Sequence, residues 1–276
     1  MKPIATPTRT QEILHQYGLH AKKKFGQNFI IEPSIIQKIV QAARLDKDTS
    51  IIEVGPGIGA LSEQLCEVAK YVKAFDIDED MVQILSQTLA NKDNFEVVWQ
   101  DFLKVDLAKE VCSMPTQHIK IVANLPYYIT TKLLEKIALE GQGIDEVIVM
   151  VQKDVAVKMA CSHDLRDRLP LTLLLESIGE VKMLFEVPRS VFLPSPNVDS
   201  AILKISFHKH EDIRGFYEFL KLAFASRRKT LHNNLKKVAF KTPLEKQLAD
   251  LGYAYDVRAE AMKVEDLKVL YQSTLV

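Results

Sequence analysis

The segment 51–59 constrains the fold more than any other stretch of this chain. Ile51-Ile52-Glu53-Val54 is an apolar run broken by one carboxylate. Gly55, Gly57 and Gly59 follow at every second position, and Ala60 opens a helical pattern with Leu61, Leu65 and Val68 on one side. A strand that passes through glycines straight into a helix begins a β-α-β unit, because glycine permits a tight turn and close approach of backbone to a ligand. The alternation then repeats. Residues 71–75, 95–99, 119–123 and 146–151 read as strands, and 79–90 and 130–139 as helices. Upstream, Pro33-Ser34 starts a helix carrying Ile35, Ile36, Ile39, Val40 and Ala43 at helical spacing. Short apolar strands between helices predict an α/β, Rossmann-like architecture with a parallel sheet covered on both faces.

The pattern changes near residue 180. Residues 181–187 and 201–207 read as two β segments joined by the proline-rich stretch 188–196. Beyond His208 only helical patterns follow, at 216–225, 230–240, 243–251 and 263–271. This predicts an N-terminal extension over 1–20, either weakly ordered or a short docking helix. A sheet domain over 21–208 and a small all-helical C-terminal domain over 209–276 come after it. No internal repeat is visible.

Charge limits the partners. Thirty-six basic residues balance 36 acidic ones, so the net charge is zero. A nucleic-acid contact must then come from local patches rather than from the whole surface. The candidates are Lys22-Lys23-Lys24, and Arg227-Arg228-Lys229 followed by Lys236, Lys237 and Lys241. Each reads equally well as a solvated charged face. No apolar run is long enough to span a bilayer, and no apolar stretch after Lys2 resembles a secretion signal. Cys66, Cys112 and Cys161 lie far apart and the histidines are scattered, without metal-ligand spacing. The expectation is a cytoplasmic protein with reduced thiols, no membrane segment and no metal, a monomer in the simplest case.

Two loops carry the chemistry. The first is 53–59, which taken alone also fits a dinucleotide fingerprint as Gly55-x-Gly57-x-x-Ala60. Pro56 removes a backbone N–H that a pyrophosphate would use. Glu53 adds negative charge, which suits a cationic cofactor such as S-adenosylmethionine. Asp76 ends the next strand, about 20 residues on, where an acid grips ribose hydroxyls, and Ile77 follows it. Asp101 follows the third strand as a candidate acceptor for the cofactor adenine amine, with Phe102 beside it for packing.

The second loop is Asn124-Leu125-Pro126-Tyr127-Tyr128, at the end of a predicted strand. A nucleobase amine is a weak nucleophile, because its lone pair is delocalised into the ring. Acceptors on its two N–H groups favour a pyramidal nitrogen, and the Asn124 side-chain oxygen and Leu125 carbonyl are suited to that. Tyr127 can stack on the base, so much of the rate gain is positioning. Phe192 sits in the proline-stiffened loop 191–200, either as an exposed second wall for a base or as a ring packed under the crossover.

These motifs together are recognisable. Lys24-Phe25-Gly26-Gln27-Asn28-Phe29, the 53–59 and 124–128 loops, 192–200 and Ser226-Arg227-Arg228-Lys229-Thr230-Leu231 occur in one order over nearly the whole chain. The sequence resembles the rRNA adenine N6-dimethyltransferase family, most closely its bacterial small-subunit branch. The resemblance implies a class I S-adenosylmethionine-dependent methyltransferase domain with a small helical domain. It implies cofactor contacts from Asn28, the backbone at Ile30, Gly55, Asp76, Asp101 and Asn124. It also implies that Tyr127 and Phe192 flank the target adenine, with RNA contact from residues 227–229. The implied substrate is a pair of adjacent adenines in a hairpin near the 3′ end of small-subunit (16S) rRNA, within an immature 30S-type particle. The sequence departs from the family in carrying Asp76 where Glu is frequent, and in its zero net charge. The alternatives are a large-subunit rRNA methyltransferase of the same fold and a binding protein that keeps the fold for docking.

Overall fold

Among the described residues nine strands and twelve α-helices follow one another, and they fix where a ligand can enter. The computed structural model describes residues 2–18, 27–160, 165, 168–208 and 213–275. The strands are β1 (Phe29–Ile30), β2 (Thr49–Val54), β3 (Tyr71–Asp76), β4 (Phe95–Trp99), β5 (His118–Asn124), β6 (Glu146–Gln152), β7 (Gly179–Val187), β8 (Phe192–Leu193) and β9 (Ser200–Phe207). The helices begin with α1 (Pro7–Gln16), α2 (Pro33–Ala43), α3 (Ala60–Val68), α4 (Glu79–Thr88), α5 (Leu107–Ser113), α6 (Thr130–Glu140) and α7 (Lys153–Ala160). They continue with α8 (Pro170–Ile178), α9 (Arg214–Ala223), α10 (Leu231–Leu235), α11 (Leu244–Asp250) and α12 (Val264–Gln272).

Seven strands form one sheet in the order β4-β3-β2-β5-β6-β9-β7. The pairs β2/β3, β3/β4, β2/β5 and β5/β6 are parallel, and β6/β9 is antiparallel. All six residues of β2 are buried, as a central strand covered on both faces requires. From β2 the chain builds outward through β3 and β4, then returns to place β5 on the other side of β2. That reversal opens a crevice beyond the carboxyl ends of the strands, where open α/β sheets bind ligands.

The helices start where their sequences provide caps. Pro33 occupies the first turn of α2, and the Glu32 carboxylate accepts from the Ser34 N–H at 3.2 Å. Ile36, Ile39, Leu61, Leu65 and Leu85 pack into one core cluster with Ile51, Val122 and Ile148.

The extension upstream is a docked helix. Thr6 caps α1 by accepting from the Arg9 N–H, and the Thr10 hydroxyl donates to the Ile4 carbonyl at 2.9 Å. The Ile4 N–H reaches Glu63 of α3 at 3.0 Å, and the Tyr17 hydroxyl reaches Gln87 of α4 at 2.8 Å. Ile13 is fully buried in the core cluster. Ile13→Ala is therefore expected to cost about 3 kcal/mol of folding stability, read as a lower urea midpoint. An unchanged midpoint would mean that α1 adds nothing to the fold.

Two compact units divide the chain, Met1–Ala156 with Lys182–Phe207, and Val157–Val181 with His208–Val276. The second unit thus takes in residues 157–181, which the sequence pattern had placed with the sheet. Its helix α8 buries Leu171, Thr172, Leu173, Leu174, Leu175 and Ile178, so it shows no polar stripe by which to recognise it as a helix. Within this unit, α9 buries Phe216, Tyr217, Phe219, Leu220 and Ala223. Tyr271 of α12 packs on Phe216 and Phe219, with ring centroids at 5.7 and 5.8 Å. A Cβ on Gly215 would stand 2.0 Å from the Tyr271 hydroxyl, so a larger residue there would displace that ring. The buried Arg168 guanidinium donates to the Met262 carbonyl at 2.7 Å and to Glu176 at 2.6 Å, which pairs a charge that burial would otherwise make costly. The helix expected over 230–240 is shorter, Leu231–Leu235, and α5, α7 and α8 were not expected.

Candidate active site

The loops that follow β2, β3, β4 and β5, together with residues 27–30, enclose a cavity of about 230 Å³ at the crevice. All of these belong to the first unit.

The β2 loop is shaped by its glycines. Gly55 and Gly57 have φ of 69° and 57°, a region that favours glycine. The Gly55 N–H donates to the Phe75 carbonyl at 2.9 Å, which ties the loop to β3. A Cβ on Gly57 would come within 3.3 Å of the Phe29 ring. Gly59 differs from the other two. It caps α3 with φ of 91°, and a Cβ there would meet Leu85 of α4 at 2.9 Å. It does not line the cavity and serves the packing of α3 against α4.

Three carboxylates border this half of the site. Glu53 is buried, and its Oε2 has no hydrogen-bond partner. Burial pushes its carboxyl up to about 8, the nearby Asp76 charge acts in the same direction, and the Ser62 hydroxyl opposes both. Burial thus works against the negative charge expected on Glu53, and the Ser62 hydroxyl is the group that favours it. Asp76 is also buried and accepts from the Asp78 N–H at 2.8 Å. Burial raises it to about 6, with the backbone N–H groups of Asp78, Gly57 and Ile77 opposing. Asp101 accepts from the Leu103 N–H at 3.0 Å and lines the cavity with Ile77 and Phe102. Phe102 stands edge-on to Phe75 at 5.6 Å.

The other half is built by the end of β5. Asn124 lines the cavity, and its Nδ2 donates to the Asn28 carbonyl at 3.4 Å. With Nδ2 so engaged, Oδ1 is the atom left to accept from a ligand. The Leu125 N–H donates to Met150 of β6 at 3.1 Å while its side chain is buried, which pins the loop to the sheet. Tyr127 is half-buried, and its hydroxyl lies 2.5 Å from the Ser200 hydroxyl. Burial holds its phenol above the usual range, opposed by Ser200.

Of the two readings open for Phe192, the packed ring is the one found, and it is not an exposed wall for a base. It is 3% exposed, packs in the main core and does not line the cavity. The cause is the short pairing of β1 with β8, which sets Ile30 opposite Phe192 and Phe29 opposite Leu193. Phe192 thereby supports the strand that carries Ile30, and the Ile31 N–H donates to the Val191 carbonyl at 2.9 Å.

Further lining residues escaped the sequence reading as site members, among them Gln27, Phe29, Pro126 and Tyr128. The signal for these four was membership of the two quoted motifs. Tyr128 is 54% exposed at the rim, and burial followed by the charges of Asp101 and Asp76 raises its phenol. In the second unit Arg227, Arg228 and Lys229 are exposed, and Arg227 donates to the Arg168 carbonyl at 3.4 Å. Lys22, Lys23, Lys24 and Cys161 lie outside the described residues.

Comparison with known proteins identifies the fold and the family. Among solved structures, the 23S rRNA methyltransferase ErmE superposes with a TM-score of 0.69 at 25% identity, covering 89% of this chain and 99% of that one. A dimethyladenosine transferase from Plasmodium falciparum gives 0.73 at 24% identity, covering 90% and 99%. The fold is that of the Rossmann-like class I methyltransferases, and the site is a crevice of that class. Residues 18–273 match the family model described as ribosomal RNA adenine dimethylase. Two relatives called ribosomal RNA small subunit methyltransferase A are similar over nearly the full length. The protein from Leuconostoc mesenteroides is 42% identical over 97% of this chain and 95% of its own. That from Streptococcus gordonii is 44% identical over 94% and 93%. The chain belongs to the ribosomal RNA adenine dimethylase family and is a methyltransferase of ribosomal RNA adenines.

Proposed function

We propose that the enzyme dimethylates the N6 amines of two adjacent adenines in a hairpin near the 3′ end of small-subunit rRNA, within an immature particle. S-adenosylmethionine is the methyl donor in this reading. The observation that carries it is the two-sided cavity: Glu53, Asp76 and Asp101 border one half, and Asn124–Tyr127 the other. The small-subunit assignment draws on the printed names of relatives that are 42% and 44% identical.

The residues present fit this cofactor. The unpartnered Oε2 of Glu53 suits a ligand that brings a cation, and the positive-φ glycines leave room for close approach of a nucleoside. Asp76 would take the ribose hydroxyls and Asp101 the adenine amine, with Ile77 and Phe102 packing on the ring and Asn28 and Ile30 closing the cavity. When bound, S-adenosylmethionine supplies an electrophilic methyl on its sulfonium. Asn124 Oδ1 and the Leu125 carbonyl accept from the two N–H groups of the target amine, which localises its lone pair. Tyr127 stacks on the adenine and holds the nitrogen in line, so the main contribution is orientation. Phe192 would reach the base only by leaving its packing with Ile30, so Tyr127 is the ring this reading places on it. Arg227, Arg228 and Lys229 would contact phosphate, which positions the RNA while the pocket selects the base.

A large-subunit substrate is the second reading, favoured by the likeness to ErmE. Radiolabelled S-adenosylmethionine separates the two when offered with undermethylated small subunits and, in parallel, with large-subunit rRNA. Label in dimethyladenine of the small subunit is the expected result. Label in large-subunit RNA alone would overturn the proposal.

A further inference from the structure

The sheet topology brings a residue from far along the chain to the base-facing half of the site. β9 runs antiparallel to β6, so its first residue lies at the end where β5 and β6 finish. That residue is Ser200, paired with Gln152 and wholly buried. Its hydroxyl lies 2.5 Å from that of Tyr127, which is 73 residues away in sequence.

Ser200 is itself held in place. The Asp199 carbonyl accepts from the Lys153 N–H at 3.0 Å, and the Asp199 carboxylate accepts from the Arg189 N–H at 2.9 Å. A buried hydroxyl whose neighbour is fixed on both sides offers one position to its partner. Tyr127 stands on the short turn Tyr127–Ile129, which has no side-chain cap and follows a proline. The Ser200 hydroxyl gives the ring a fixed point at its far end. A phenyl ring stacks on a base about as well as a phenol does, so stacking alone does not account for the hydroxyl.

We infer that Ser200 is a positioning residue for the methyl transfer, acting through its hydrogen bond to Tyr127 to set the plane on which the target adenine stacks. The inference rests on the reading that places Tyr127 on the base.

A double-mutant cycle tests it. Ser200→Ala and Tyr127→Phe remove the same hydrogen bond from opposite ends. Each is expected to lower kcat on undermethylated small subunits by about tenfold, with the Kd for S-adenosylmethionine unchanged. The double variant is expected to be no slower than either single one. A wild-type kcat in either single variant, or losses that multiply in the double variant, would overturn the inference. If Ser200→Ala does not fold, Tyr127→Phe at wild-type rate would overturn it alone. Tyr127→Ala is the control for the underlying reading: an undiminished rate there would remove Tyr127 from the base, whatever Ser200 does.

Discussion

Asn124→Ala is expected to lower methyl transfer by roughly two to three orders of magnitude, the range seen when one preorganised hydrogen-bonding group is removed from a reacting centre. The side chain has one donor contact, to the Asn28 carbonyl at 3.4 Å, and in the proposed reaction its oxygen accepts from the target amine. Alanine keeps the backbone at the end of β5, where the neighbouring Leu125 N–H is tied to Met150. The fold and the Asp76–Asp101 side of the cavity should survive. Calorimetric titration with S-adenosylmethionine is expected to show binding within several-fold of wild type, while incorporation of labelled methyl collapses. Transfer at the wild-type rate would show that the amide takes no part.

Glu53 should make cofactor affinity depend on pH. Its carboxyl is raised to about 8 in the ligand-free protein, mainly by burial. A bound cation favours the ionised form, so binding below that value releases a proton. Affinity for S-adenosylmethionine should therefore rise with pH, by at most about tenfold per unit. The window is pH 6 to 7, below the titration of the amine of the cofactor itself, and Asp76, raised to about 6, adds to the slope at its lower end. Glu53→Gln is expected to flatten this slope and to weaken binding at pH 7.5 by about tenfold. A wild-type slope that persists in Glu53→Gln would assign the proton elsewhere.

The same carboxyl sets the sign of the stability profile. A folded-state pKa above the unfolded value, here about 8 against 4.5, stabilises the fold fully below the lower value. That contribution is lost as pH rises toward 8. Asp76, raised to about 6 from 3.8, acts in the same direction over a lower range. The ligand-free protein should melt at a lower temperature at pH 8 than at pH 6, and Glu53→Gln should narrow the gap.

Much of this was legible in the chain because it is local. The passage from β2 through Gly55 and Gly57 into α3, the acid at the end of β3, and Asn124 at the end of β5 each lie within a few residues of the strand that presents them. Apolar runs mark β2, β5 and β6, and Ile36 and Ile39 mark the buried stripe of α2, since burial repeats with the period of the element. The parallel sheet, its crevice and most of the cavity wall follow from that alone. The resemblance to a known family adds the substrate and the roles.

What escaped depends on groups distant in sequence. β1 and β8 are two residues each, too short to carry a period, and only their pairing shows that Phe192 lies under Ile30. Gly59 sits in the same glycine loop as Gly55, yet Leu85 of α4 decides that it packs and does not face the cavity. Helix α8 is apolar around most of its circumference, so its sequence does not say that 157–181 joins the second unit.

The sequence by itself determined the alternation of the central strands with their main helices, the glycine turn and the identity of the site loops, because each is set by residues within one element of its neighbours. Only the tertiary structure decided that burial raises the Glu53 carboxyl, that Phe192 is core and that Ser200 touches Tyr127. Charge state and contact both depend on what surrounds a side chain in space, and in this chain those surroundings come from segments tens to more than a hundred residues away.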